Sequence, residues 1–133
     1  MPEAGRWRVF AVIAVAFFLA FLSRYATAVI VPDLERSFAI GAPEIGLLGA
    51  AYFWAYALMQ PPAGLLADSI GPRRAVTSFL LLAAAGTALF ALAGQFPLAL
   101  VGRAVSGFGT GIVYVCGTKL FARWFGARDF GPV

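Results

Sequence analysis

Histidine is absent from this sequence, cysteine occurs once, and only 12% of the residues are charged. Without histidine, and with the single Cys116 set inside an apolar run, zinc sites and the common nucleophile-and-base arrangements cannot be assembled. A disulfide framework is excluded for the same reason. The sequence therefore offers no catalytic residues, no metal ligands and no cofactor site, and no enzyme is expected. The shortage of charge excludes more. About a quarter of a soluble domain is charged, and each of its helices keeps a polar face. Here 62% of the 133 residues are hydrophobic, and whole segments have no polar face. The solvent that suits this composition is the lipid bilayer.

What charge there is adds up to +4, with a pI near 9.8. In a soluble protein that would suggest nucleic acid as a partner. The placement argues against it, because most of the basic residues fall in short gaps between apolar runs, which is the pattern of membrane topology.

Four apolar spans follow in order, over about 9–31, 45–67, 75–94 and 98–120. Each is near the roughly 20 residues a helix needs to cross the hydrocarbon core. A second reading of the first span is a secretory leader, with Arg6 and Arg8 ahead of an apolar stretch and Ala26-Thr27-Ala28 as a small-residue cleavage site; the further spans weigh against it. Pro61 and Pro62 are expected to kink the second span. Gln95-Phe96-Pro97 reads as the turn before the fourth. That last span is dense in glycine, and Gly107 with Gly111 makes a GxxxG pair that lets helices approach closely.

Counting basic residues in the gaps gives an orientation. With a cytoplasmic N-terminus, seven lie inside (Arg6, Arg8, Arg73, Arg74, Lys119, Arg123, Arg128) and one outside, Arg36. The positive-inside rule then puts both ends of the chain in the cytoplasm of a multi-pass cell-membrane protein. The segment from Asp33 to Glu44 falls outside.

The gap between the second and third spans reads Gly64-Leu65-Leu66-Ala67-Asp68-Ser69-Ile70-Gly71-Pro72-Arg73-Arg74. Asp68 ends a helix where the macrodipole is already negative, so its carboxylate needs a partner elsewhere. Gly71 permits a left-handed turn and Pro72 stops the preceding helix. Read on its residues alone, the stretch is either an ordinary solvated loop or a conformational latch. It resembles the loop signature of the major facilitator superfamily, Gly-x-Leu-x-Asp-x-x-Gly-x-Arg-Arg, at Gly64, Asp68, Gly71, Arg73 and Arg74, with the leucine at 65 or 66. Arg103 followed by Gly107 and Gly109 is similar to the fourth-helix pattern of that superfamily. The tail from Ala122 to Asp129 is similar to its basic-aromatic loop before the fifth helix.

The resemblance implies an all-α polytopic bundle, the first four helices of a twelve-helix transporter built from two six-helix halves and working by alternating access. It implies that the remaining helices lie beyond Val133, and that this chain alone inserts without transporting.

Arg24 lies deep in the first span. About 15 residues from Val9, at 1.5 Å each, put its backbone roughly 22 Å into the membrane. Its side chain either snorkels to the outer interface or faces the bundle interior. Arg24 with Pro32 eight residues on resembles the first helix of organophosphate/phosphate antiporters and of anion/cation symporters, which implies a substrate-binding arginine and a small anionic organic solute. The symporter pattern has an Asp before this Arg and a Glu in the fourth helix, whereas Ser23 and the Thr110-Gly111 region stand here. Arg103 is expected to order the polar interior of the fourth helix, with Gly107, Gly109 and Gly111 as its packing surface. Of the aromatics Tyr52, Phe53, Trp54 and Tyr56, most are expected to pack or face lipid. The rival architecture is a self-contained four-helix protein working as a homo-oligomeric exporter or assembly factor, against which the apparent lack of an in-chain partner for Asp68 is the argument.

Overall fold

The computed structural model describes the backbone of residues 3–129 and the side chains of residue 5 and residues 7–125. Arg6 and Arg128, two of the basic residues in the orientation argument, have side chains outside that set. The described residues form helices and connecting turns: α1 (Glu3–Val29), α2 (Val31–Phe38), α3 (Ala42–Ser69), α4 (Pro72–Ala91) and α5 (Phe96–Asp129). Three helical stretches are long and apolar enough to cross a membrane alone, Trp7–Val29, Pro72–Ala91 and Phe96–Phe125, and the bent pair α2–α3 makes a fourth crossing if counted as one span.

Proline sets most of the boundaries. Pro32 lacks an N–H and would clash within α1, so α1 stops at Val29, and the same proline then sits comfortably in the first turn of α2. Pro43 and Pro72 open α3 and α4 in the same way. Phe96 and Pro97, expected in a turn, are the first residues of α5. Pro61 and Pro62 sit inside α3 without ending it. Gln60, just before them, donates from Nε2 to the Gly111 carbonyl at 3.0 Å and clasps this region to α5.

The segment from Asp33 to Glu44, read as an outer loop, contains a helix. α2 ends on Ala39 in the left-handed region at φ 51° and meets α3 at a bend of 114°. Its apolar side, with Leu34 and Phe38, packs with Leu48 of α3 and Ala99 of α5, while Asp33, Glu35 and Arg36 are exposed. This is the pattern of a short helix lying in the membrane interface.

The core lies along α5, which is flanked by α3 and α4. Met59, Ala63 and Ala67 of α3, Ala75 and Val76 of α4, and Ile112 and Cys116 of α5 form its main cluster. α1 rests on α5 more lightly through Phe17, whose ring meets Tyr114 at 6.1 Å. It leaves Val12, Val15, Phe18, Leu19, Phe21 and Leu22 exposed, an apolar surface fit for lipid or for further apolar helices.

Candidate functional site

Two arginines, from α1 and α5, reach the rings around one Tyr52–Tyr56 stack. A helical Cα–Cβ bond tilts toward the helix N-terminus, so Arg24, near the end of α1, is launched back toward the middle of the bundle. Its guanidinium carbon lies 4.4 Å from the centre of the Phe53 ring and 5.8 Å from that of Tyr56. Those residues lie about 16 and 21 Å along α3 from its start, whereas Arg24 is only about 8 Å from the end of α1. The side chain therefore runs inward, and the snorkelling geometry is not the one adopted. Its Nε is buried and makes no hydrogen bond to the protein. With Phe17, Tyr52, Tyr56 and Thr110 it lines a cavity of about 40 Å³.

Arg103 approaches from α5. It donates from Nη1 to the Ser23 carbonyl at 3.0 Å, and its guanidinium carbon lies 4.5 Å from the centre of the Tyr52 ring and 5.7 Å from that of Phe90. One side chain thus touches α1, α3 and α4. Tyr52 stands between the arginines: its ring stacks on Tyr56 at 6.4 Å, and its hydroxyl is 2.7 Å from Thr110 Oγ1. Of the four aromatics singled out in the sequence, Tyr52 is buried and central, whereas Trp54 is 77% exposed.

Where the symporter pattern carries acids, hydroxyls hold the network. Ser23 Oγ lies 3.2 Å from Ser106 Oγ, which lies 3.0 Å from Thr87 Oγ1. Sequence reasoning missed Thr87 and Ser106. The available signal was three isolated hydroxyl residues in apolar stretches of three different helices. Among the described residues, Asp33, Glu35, Glu44 and Asp68 all lie near helix ends. The aromatic faces therefore carry much of the work of holding the two cations, through cation–π attraction.

The glycines of α5 are contact points. A Cβ on Gly107 would collide with the Tyr52 backbone of α3, and one on Gly109 would come within 2.6 Å of Ala83 N and Phe79 O of α4. Gly111 likewise faces α3, where an added Cβ would sit 2.8 Å from Met59 Cβ.

At the other end of α3, Lys119 Nζ reaches Asp68 Oδ1 at 2.7 Å and the Gly64 carbonyl at 3.1 Å. This corrects one expectation. The carboxylate was read as lacking a partner in this chain, and that was the argument against a self-contained protein; Lys119, 51 residues later, supplies the partner. Gly71 takes φ 85°, where a side chain would be strained. Arg73 and Arg74 are exposed and line a cleft with Arg123 and Trp124.

Comparison with known proteins agrees with these features. The chain is 27% identical over 95% of its length to the Cupriavidus necator protein named "Probable sulfoacetate transporter SauU". It is 30% identical over 93% of its length to the hexuronate transporter of Escherichia coli. It is 27% identical over 96% to the nitrate/nitrite transporter NrtP of Picosynechococcus. It spans 29%, 29% and 24% of the length of those three relatives. No solved structure gives a significant match. The family model of the Major Facilitator Superfamily matches residues 13–132, so this all-α, multi-pass membrane chain belongs to that superfamily.

Proposed function

We propose that this chain forms the opening helices of a secondary transporter that moves a small organic anion across the cell membrane by alternating access, with Arg24 as the anion-binding residue. The observation that carries the reading is Arg24 itself. It is turned into the bundle, held by the faces of Phe53 and Tyr56, and its Nε is buried without a protein hydrogen bond. A guanidinium so placed has a free donor for carboxylate or sulfonate oxygens, and its planar fork suits bidentate contact. The names of the relatives point the same way: sulfoacetate, hexuronate and nitrate are all anions.

Arg103 orders the interior behind this residue. Gly64, Asp68, Gly71, Arg73 and Arg74 form the conformational latch, with Lys119 as its closing partner. As a static bond between partly exposed groups the Asp68–Lys119 pair contributes no more than about 1 kcal/mol, which suits a contact that breaks and reforms in each cycle. The further helices contained in the relatives' greater length would complete the substrate path against the exposed side of α1.

Replacement of Arg24 by Lys tests the assignment, since it keeps the charge and removes the fork. Binding of a panel of small carboxylates and sulfonates to the transporter carrying this segment is expected to weaken by about tenfold or more, in line with the loss of one charge-assisted hydrogen bond. Equal affinities at matched expression would overturn it.

A further inference from the structure

A second cavity, also of about 40 Å³, lies among α1, α4 and α5, lined by Ser23, Thr27, Thr87, Phe90, Arg103 and Ser106. It is separate from the cavity at Arg24 and is built differently. Arg103 is 4% exposed and Thr27 6% exposed, and each carries an atom without a protein partner, Nε of the arginine and Oγ1 of the threonine.

Following the protons shows what this cavity offers. Thr87 gives its hydroxyl proton to the Ala83 carbonyl at 2.9 Å, so at Ser106, 3.0 Å away, it accepts. Ser106 has then spent its proton on Thr87 and accepts from Ser23 at 3.2 Å. The protons of these three hydroxyls are used within the triad and its carbonyl. What is left for the cavity is two unspent protons, the N–H of Arg103 and the O–H of Thr27, beside spare lone pairs on the hydroxyl oxygens.

The charge makes the same demand. The other contacts of Arg103 are a backbone carbonyl and two ring faces, and the cavity lining contains no carboxylate. A buried cation without a counter-charge is costly. A negative group that accepts from both would satisfy the two protons and the charge together. It must also be small: this cavity is more enclosed than the one at Arg24, and about 40 Å³ is room for roughly three water-sized groups, which admits a monatomic ion with water beside it.

We propose that this cavity binds a single halide ion, chloride under cellular conditions, as the counter-charge of Arg103, at a site distinct from the anion site at Arg24. The test uses the intact chain in detergent, with chloride or bromide compared against gluconate at matched ionic strength. Halide is expected to raise the unfolding temperature by about 3–5 °C over gluconate and to broaden the chloride NMR line saturably. Thr27→Val, nearly the same shape without the donor, should remove most of both effects, and Arg24→Lys should leave them intact. If Thr27→Val does not fold, Thr27→Ala read by line broadening takes its place. Equal stability in halide and gluconate with no saturable broadening would overturn the proposal and assign water to the site. A halide effect lost in Arg24→Lys and kept in the Thr27 variant would overturn it by placing the ion at the other arginine.

Discussion

Tyr52 shows how much a single side chain does in this interior. It is 1% exposed, its ring carries the Arg103 guanidinium, and its hydroxyl meets Thr110. Thr110 spends its own proton on the carbonyls of Ser106 and Gly107, at 3.0 and 3.1 Å, so Tyr52 is the donor in their bond. Tyr52→Phe removes that donor but keeps the ring under Arg103. A cost of about 1 kcal/mol is expected. Tyr52→Leu loses the cation–π contact and leaves space as well, and about 3 kcal/mol is expected there. Denaturant unfolding in detergent separates the two; equal losses would show that the ring adds nothing to holding the arginine. Tyr52 was one of several aromatics in the sequence, and nothing in its local pattern marked it as the central one. Arg24, Arg103 and Asp68 were legible because a charge in an apolar run, or at the wrong end of a helix, has to be accounted for. Their partners were not, since Lys119 looked like part of an interfacial tail and Phe53 like a lipid-facing ring.

Between helices, backbone contact replaces the interlocking of large side chains. Gly109 has α4 backbone atoms at 2.6 Å from where its Cβ would be, whereas Gly49, two turns into α3, has nothing within 4 Å. The same substitution should therefore have opposite signs at the two positions. Gly109→Ala must push α4 and α5 apart, and a loss of about 2–3 kcal/mol is expected. Gly49→Ala meets no obstacle and should gain about 0.5–1 kcal/mol from the lower entropy of the unfolded chain. Thermal unfolding of the two variants side by side checks this, and a destabilising Gly49→Ala would mean that α3 is packed on that side too. The glycine series of α5 was visible in the sequence as a packing surface. Which neighbour each glycine meets was not, because that depends on rotation about the helix axis. α2 was missed for a different reason: Pro32 was read as the end of a helix, and the same proline opens the next one. Only the alternation of Leu34 and Phe38 with Asp33, Glu35 and Arg36 gave a sign of it.

For the molecule as a whole, folding gathers charge that the sequence scatters. Phe10 near the start of α1 meets Phe121 near the end of α5, with ring centres 5.8 Å apart. Arg8 and Arg73 line one cavity at this end, and Arg73, Arg74 and Arg123 line the next. Asp33, Glu35 and Glu44 belong to α2 and the first turn of α3, on the far side of the crossing made by α1. The bundle is thus strongly basic at one end and mainly acidic at the other. Positive residues are retained on the cytoplasmic face, so the end bearing Arg73 and Arg74 is expected in the cytoplasm and α2 on the opposite face. Glu35 and Ser69 are both exposed and lie at opposite ends of the span made by α3. Cysteine placed at either one is readable against a low background, because the natural Cys116 is 0% exposed. In intact cells, an impermeant thiol reagent should label Glu35→Cys at once and Ser69→Cys only after the membrane is opened. Labelling in the reverse order would invert the orientation. It would also undermine the latch reading, since a loop held by Arg73 and Arg74 would then lie on the face from which basic loops are normally excluded.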